Sequence, residues 1–199
     1  MTRYALYWAP VAGSALASIG ERWLGREAAT DRALARQAVE GFNDGELNAI
    51  TAEPRHYGLH ATLKPPFRLA RGFTRPALEA HIATFAKAQS PVSAVPLKLA
   101  QIGRFLALVP KTYSAALAAL AASCVETFDH FRAPPDTEEL SRRRGTALTA
   151  QQEENLRLWG YPYVMSEFRF HVTLTGPAEF EWRGDLDPAT GAWTRSEAA

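Results

Sequence analysis

Phe168-Arg-Phe-His-Val-Thr-Leu-Thr-Gly176 is the stretch on which the reading of this chain turns. Over residues 167–175 polar and apolar residues alternate without a break, the period of a strand with one buried face. Phe168, Phe170, Val172 and Leu174 fall on the core side, and Arg169, His171 and Thr173 fall on the other. Gly176-Pro177 ends the run. Its centre recurs about half a chain earlier, where His60-Ala-Thr-Leu63 lies inside Tyr57-Gly-Leu-His-Ala-Thr-Leu-Lys-Pro-Pro-Phe67. The same period puts His60 and Thr62 on one face, with Lys64 beside them if the strand runs on. Pro65 and Pro66 are expected to end regular pairing there. Two of the five histidines carry this sequel, a coincidence on the order of one in a thousand from composition alone.

Working outward, residues 4–8 read as a buried strand closed by Pro10 and Gly13, after which Ser14 caps a helix whose stripe is Leu16, Ile19, Trp23 and Leu24. Residues 31–51 have a weak pattern, and Asn43-Asp44-Gly45 reads as a turn in a connecting region. Thr74, Pro76 and Glu79 start a helix with Leu78, Ile82 and Phe85 on its apolar side. Residues 95–102 and 105–110 form a hairpin across Gly103-Arg104. An Ala-rich helix spans residues 112–131, and Thr149 with Gln152 opens another over 149–159, stopped by Gly160. The tail after Gly184 reads as turn or disorder. This order predicts an α+β fold of mainly antiparallel sheet, with residues 1–199 forming one bilobal domain built from a weak internal repeat.

With 199 residues, 47% of them hydrophobic, the chain is long enough to bury a core of its own. Its formal charge of +1 excludes a global field for long nucleic acid or anionic lipid and leaves room for a local basic pocket holding a small anion. Cys124, the lone cysteine, reads as a packed hydrophobe in a helix. No charged leader precedes an apolar run and no segment reaches bilayer length, so a reducing cytoplasm is expected, with no membrane contact.

Two imidazoles, each with a pKa near 6.5 when free, can divide acid and base work at neutral pH. Two threonine hydroxyls beside them can hold phosphoryl oxygens. The sequence lacks the carboxylate clusters of a two-metal phosphatase, so neither metal nor cofactor is expected. The chemistry that fits is phosphoester chemistry on a phosphodiester or cyclic phosphate. A competing reading has both histidines satisfied on a sheet face with no chemistry. Another has the cleft hold a phosphorylated sugar, a nucleotide or an RNA end without turnover.

Paired His-x-Thr segments in two half-chain repeats resemble the two-histidine (2H) phosphoesterase superfamily, which includes RNA ligase-like cyclic phosphodiesterases. More narrowly, Arg3-Tyr-Ala-Leu-Tyr7, the Tyr57 segment, Trp159-Gly-Tyr-Pro-Tyr-Val164 and the Phe168 segment resemble a family encoded beside phosphonate-degradation genes. The resemblance implies two pseudo-symmetric lobes of antiparallel sheet with outer helices around a central cleft. It puts His60 and Thr62 on one lobe and His171 and Thr173 on the other. It further implies a phosphoric diester hydrolase acting on a small cyclic phosphate of ribose, with a 2′,3′-cyclic RNA end as the rival substrate. Pro177 stands where that narrower family often has a basic residue.

Around the four central residues, Lys64 and Arg169 are candidates for further phosphate contacts, and Tyr57 and Arg143 for other substrate contacts. Arg142-Arg-Arg144 is the candidate lid. Tyr161 and Tyr163 are expected to pack a core edge. His56 and His60 have helical metal spacing, but Gly58 breaks the shared face, and neither His81 nor His130 is expected to have a role.

Overall fold

The computed structural model describes residues 2–93, 95–145 and 147–177, and the strand backbones 184–186 and 193–195. In chain order the elements begin β1 (Tyr4–Trp8), α1 (Ala15–Leu24), β2 (Arg26–Glu27), β3 (Arg32–Ala33), α2 (Asp44–Tyr57), β4 (Ala61–Phe67) and α3 (Arg75–Ala88). They continue with β5 (Leu97–Ile102), β6 (Phe105–Pro110), α4 (Ala115–Thr127), α5 (Thr137–Arg143), α6 (Ala150–Trp159), β7 (Val172–Thr173), β8 (Gly184–Leu186) and β9 (Trp193–Arg195). The fold is α+β, and the chain divides into two compact units. The first comprises Met1–Tyr7, Thr62–Val95 and Thr112–Phe170; the second comprises Trp8–Ala61, Pro96–Lys111 and His171–Ala199.

In the first unit β1 pairs with β4. Leu6, Phe67, Leu78, Cys124, Phe128 and Phe131 form the buried core, with Leu63, Ile82 and Phe85 packed against it. Each helix has a local reason to start. Thr74, Ser114 and Thr149 accept from the amides of Ala77, Leu117 and Gln152, and Gln152 completes a capping box on Thr149. Gly160, left-handed at φ 71°, closes α6. Burial pushes the Cys124 thiol up to about 11, so it packs as an inert neutral group. Pro65 and Pro66 do not end β4, which runs on through both to Phe67. Its sheet has two strands, so β4 is an edge, where proline is tolerated because no ladder donor is needed on the open side.

In the second unit β5, β6 and β7 form an antiparallel sheet in that order, with Ala107 opposite Thr173 and Leu108 opposite Val172. Gly103, at φ 58°, makes the turn between β5 and β6. Residues 43–45, read as a turn, instead begin α2: Asn43 accepts from the Glu46 amide, and the Glu46 side chain accepts from the Asn43 amide. The region looked structureless because its apolar stripe is weak, while a reciprocal cap supplies the helix start. The tail also departs from expectation, since β8 and β9 pair antiparallel with Gly184 opposite Arg195 and Leu186 opposite Trp193.

The nine-residue alternation of 167–175 yields a strand of only two residues, β7. Met165 sits at φ 55° in a 3₁₀ turn over Met165–Glu167, and the Phe168 amide bonds back to the Met165 carbonyl, so the chain turns where a longer strand would begin. Alternation reports which face is buried; a ladder also requires a partner, and β6 supplies one over two residues.

The segment after β7 is anchored more firmly than its length suggests. Leu106 accepts from the Leu174 amide at 2.9 Å and donates to the Thr175 hydroxyl at 2.9 Å, while the Trp23 indole donates to the Leu174 carbonyl at 2.7 Å. Gly176 N–H donates to the Ile50 carbonyl of α2 at 2.6 Å. That carbonyl is available because Pro54, four residues on inside α2, has no N–H to give it. Pro54→Ala restores an intrahelical donor that competes for it. Hydrogen exchange of the Gly176 amide, followed by NMR, is then expected to quicken about fivefold, the worth of one net hydrogen bond; an unchanged rate would reject the competition.

Candidate functional site

His60 is placed by the end of α2. The Gly58 amide donates to the Pro54 carbonyl at 3.0 Å, and the chain then bends so that the Gly58 carbonyl meets His60 Nδ1 at 2.9 Å. The Tyr57 ring, 57% exposed, stands edge-on to His60 with centroids 6.1 Å apart. His171 immediately precedes β7, half-buried, its ring 6.0 Å from that of Phe105. Burial lowers the His60 pKa below the ordinary imidazole value; the Gly58 hydrogen bond opposes this, and the charge on His171 adds to it. His171 is thus one of the groups whose charge disfavours a proton on His60.

Both histidines and Thr173 belong to the second unit, whereas Thr62 belongs to the first. The resemblance implied one imidazole from each lobe, and the structure instead brings the pair together within one unit. Thr62 and Thr173 are half-buried on β4 and β7. Arg169 is exposed and lies in the first unit.

Lys64 and Arg143 are both engaged inside the first unit. Lys64 is 1% exposed and its ammonium donates to the Val125 carbonyl at 3.0 Å, with Asp129 at 3.5 Å. Burial lowers its pKa to about 8 against the opposing pull of Asp129. The Arg143 guanidinium pairs with Glu139 at 2.7 Å and lies 4.8 Å from the centre of the Tyr161 ring. Arg144 pairs with Glu153, and Arg143 belongs to α5, so two of the three candidate lid arginines have partners in their own unit. Lys64, Arg68, Arg132, Glu139, Arg143 and Tyr161 line a polar recess there. His81 meets Phe131 edge-on, His130 lies tilted against the same ring, and His56 meets Tyr57 edge-on. Among the described residues no group of three or more His, Cys, Asp and Glu is gathered to hold a metal ion, and no helix is long and apolar enough to cross a membrane.

Sequence reasoning missed Gly58 and Phe105. A glycine two residues before the first histidine is the one signal that pointed to Gly58; nothing local marks Phe105, which meets His171 through sheet pairing.

Residues 62–196 match the family described as protein of unknown function (DUF1045). The chain is also similar to a ribose 1,5-bisphosphate phosphokinase PhnN of Janthinobacterium sp. (strain Marseille), 41% identical over 88% of this chain and 39% of that protein. It is similar to another of the same name from Laribacter hongkongensis (strain HLHK9), 35% identical over 87% of this chain and 40% of that one. The chain thus spans about two-fifths of the length of these relatives. No solved structure matches it. Both relatives are named as kinases, which are transferases, and this overturns the expectation of a phosphoric diester hydrolase.

The Lys64 environment sets a pH dependence of stability. Its folded pKa of about 8 lies below the ordinary 10.5, so between those values the unfolded chain holds a proton that the folded chain has released. Stability should rise with pH across that window. Lys64→Met, which keeps the apolar stem and removes the buried charge, should abolish this part of the rise in urea titrations at pH values near the two ends. A variant curve parallel to the wild type would reject the assignment.

Proposed function

The chain belongs to the DUF1045 family, and we propose that it binds a phosphorylated ribose with His60 and His171 as a proton-exchanging pair at the ligand. The observation that carries this reading is the placement of two half-buried imidazoles in one unit, each followed two residues later by threonine. One neutral and one protonated imidazole at neutral pH are the complement needed to accept one proton and give another. We assign Thr173 to a phosphoryl oxygen and the exposed Tyr57 ring to the sugar, both in the unit that carries the two histidines. Lys64 and Arg143 already neutralise Asp129 and Glu139, so the proposal does not depend on them.

The ribose and its phosphates are inferred from the names of the two relatives, and a role in phosphonate metabolism from the resemblance of the motif segments. No Gly-x-x-x-x-Gly-Lys-Ser/Thr run, with which one large class of kinases cradles nucleotide phosphates, occurs in the sequence. We therefore assign to this chain the handling of the sugar phosphate. Kinship with the two-histidine superfamily enters as an inference about the proton-handling pair, without that superfamily's diester hydrolysis.

Calorimetry with ribose 5-phosphate and with free ribose tests the reading. The phosphorylated sugar should bind and the free sugar should not, and Thr173→Val should weaken binding about tenfold by removing a hydrogen bond to a charged group. Equal affinity for both sugars would sink it. Phosphorus NMR of ribose 1,5-bisphosphate with the protein reads the second half. A new phosphorus species that forms with the wild type and not with His171→Ala supports proton exchange, whereas binding without change reduces the site to recognition.

A further inference from the structure

The contact between His60 Nδ1 and the Gly58 carbonyl, at 2.9 Å, has only one chemical form. A carbonyl oxygen accepts and cannot donate, so Nδ1 must carry the hydrogen whether the ring is neutral or charged. In the neutral ring the other nitrogen, Nε2, is then the one with the lone pair. Burial and the neighbouring His171 favour that neutral ring.

The orientation of the Gly58 peptide is imposed by backbone geometry. Gly58 lies at φ 76° and ψ 177°, a region open essentially to glycine alone. A Cβ built at this position would stand 2.4 Å from the Ala28 Cβ. Its amide is tied to the Pro54 carbonyl. The next residue, Leu59, is 8% exposed and seated over Gly20, where an added Cβ would lie 2.3 Å from Leu59 Cδ2. The stretch from Pro54 to His60 is thus held at both ends of the bend, which leaves the carbonyl aimed at the imidazole.

We propose that Gly58 is a positioning residue that locks His60 in its Nδ1–H tautomer, making Nε2 the proton-accepting nitrogen of the histidine pair. The accepting role rests on the function proposed above; the tautomer does not. A proton leaving a ligand hydroxyl or a water oxygen would arrive on Nε2, giving an imidazolium whose Nδ1–H still points at Gly58.

Nitrogen-15 NMR of histidine-labelled, ligand-free protein, recorded about 1.5 units above the ordinary imidazole pKa, reads the tautomer directly. The expected result for His60 is a protonated Nδ1 and a bare Nε2, in about fivefold excess over the alternative, the worth of one net hydrogen bond. A proton on Nε2 would overturn the proposal. Gly58→Ala combined with Ala28→Gly removes the steric contact and leaves only the unfavourable φ, so the folded double variant should lose most of that excess. Retention of the wild-type ratio would show that Gly58 does not set it. Because no ligand is present, the tautomer result stands apart from sugar-phosphate binding: an Nδ1–H ring in a protein that fails to bind ribose 5-phosphate would keep the positioning role and remove the function.

Discussion

Both motif segments depend on α2, and the second is held by the carbonyl of Ile50. Inside α2 it would normally bond to the amide four residues on, but that residue is Pro54, which has none. Left alone, a polar group there would be a net cost. The Gly176 amide fills the gap at 2.6 Å and ties the end of the second motif to the middle of α2. The same helix then ends at Gly58, whose peptide orients His60. One irregular helix thus serves both histidines, and its irregularity is what makes the second attachment available. A regular helix would have closed its own ladder and offered nothing to the returning chain.

Two kinds of buried cation-forming group coexist in the molecule, with different consequences. His60 is desolvated near a second imidazole, and both effects favour its neutral form, the state suited to accepting a proton. Lys64 is more deeply buried but is held by a helix-end carbonyl and by Asp129, contacts that use its hydrogen bonds within the first unit. Strand periodicity puts Lys64 on the face of Thr62, yet that face is covered at Lys64, and its ammonium is taken up by Val125 and Asp129. Arg143 has a similar fate between Glu139 and Tyr161. Residues chosen for charge alone were therefore drawn into packing. The two histidines remained half-buried in one unit, and the names of the relatives shift the chemistry expected of them away from diester hydrolysis.

The sequence by itself determined the features that depend on near neighbours. Ser14, Thr74 and Thr149 cap the helices they were expected to cap, Gly160 ends α6, and β5 and β6 pair across Gly103-Arg104. The paired His-x-Thr segments were visible too, because a repeated tetrad is a local pattern. These are short-range effects in which donor, acceptor and turn residue lie within a few positions of one another. Tertiary structure alone decided how much of 167–175 became strand, since β6 had to provide the ladder. It decided that proline could pass through an edge strand, that Asn43 began a helix, and that His60 and His171 fell in one unit. It also settled which nitrogen of His60 faces a carbonyl. Each of those outcomes requires a partner far along the chain or a backbone angle imposed by packing, and alternation, composition and spacing carry no information about either.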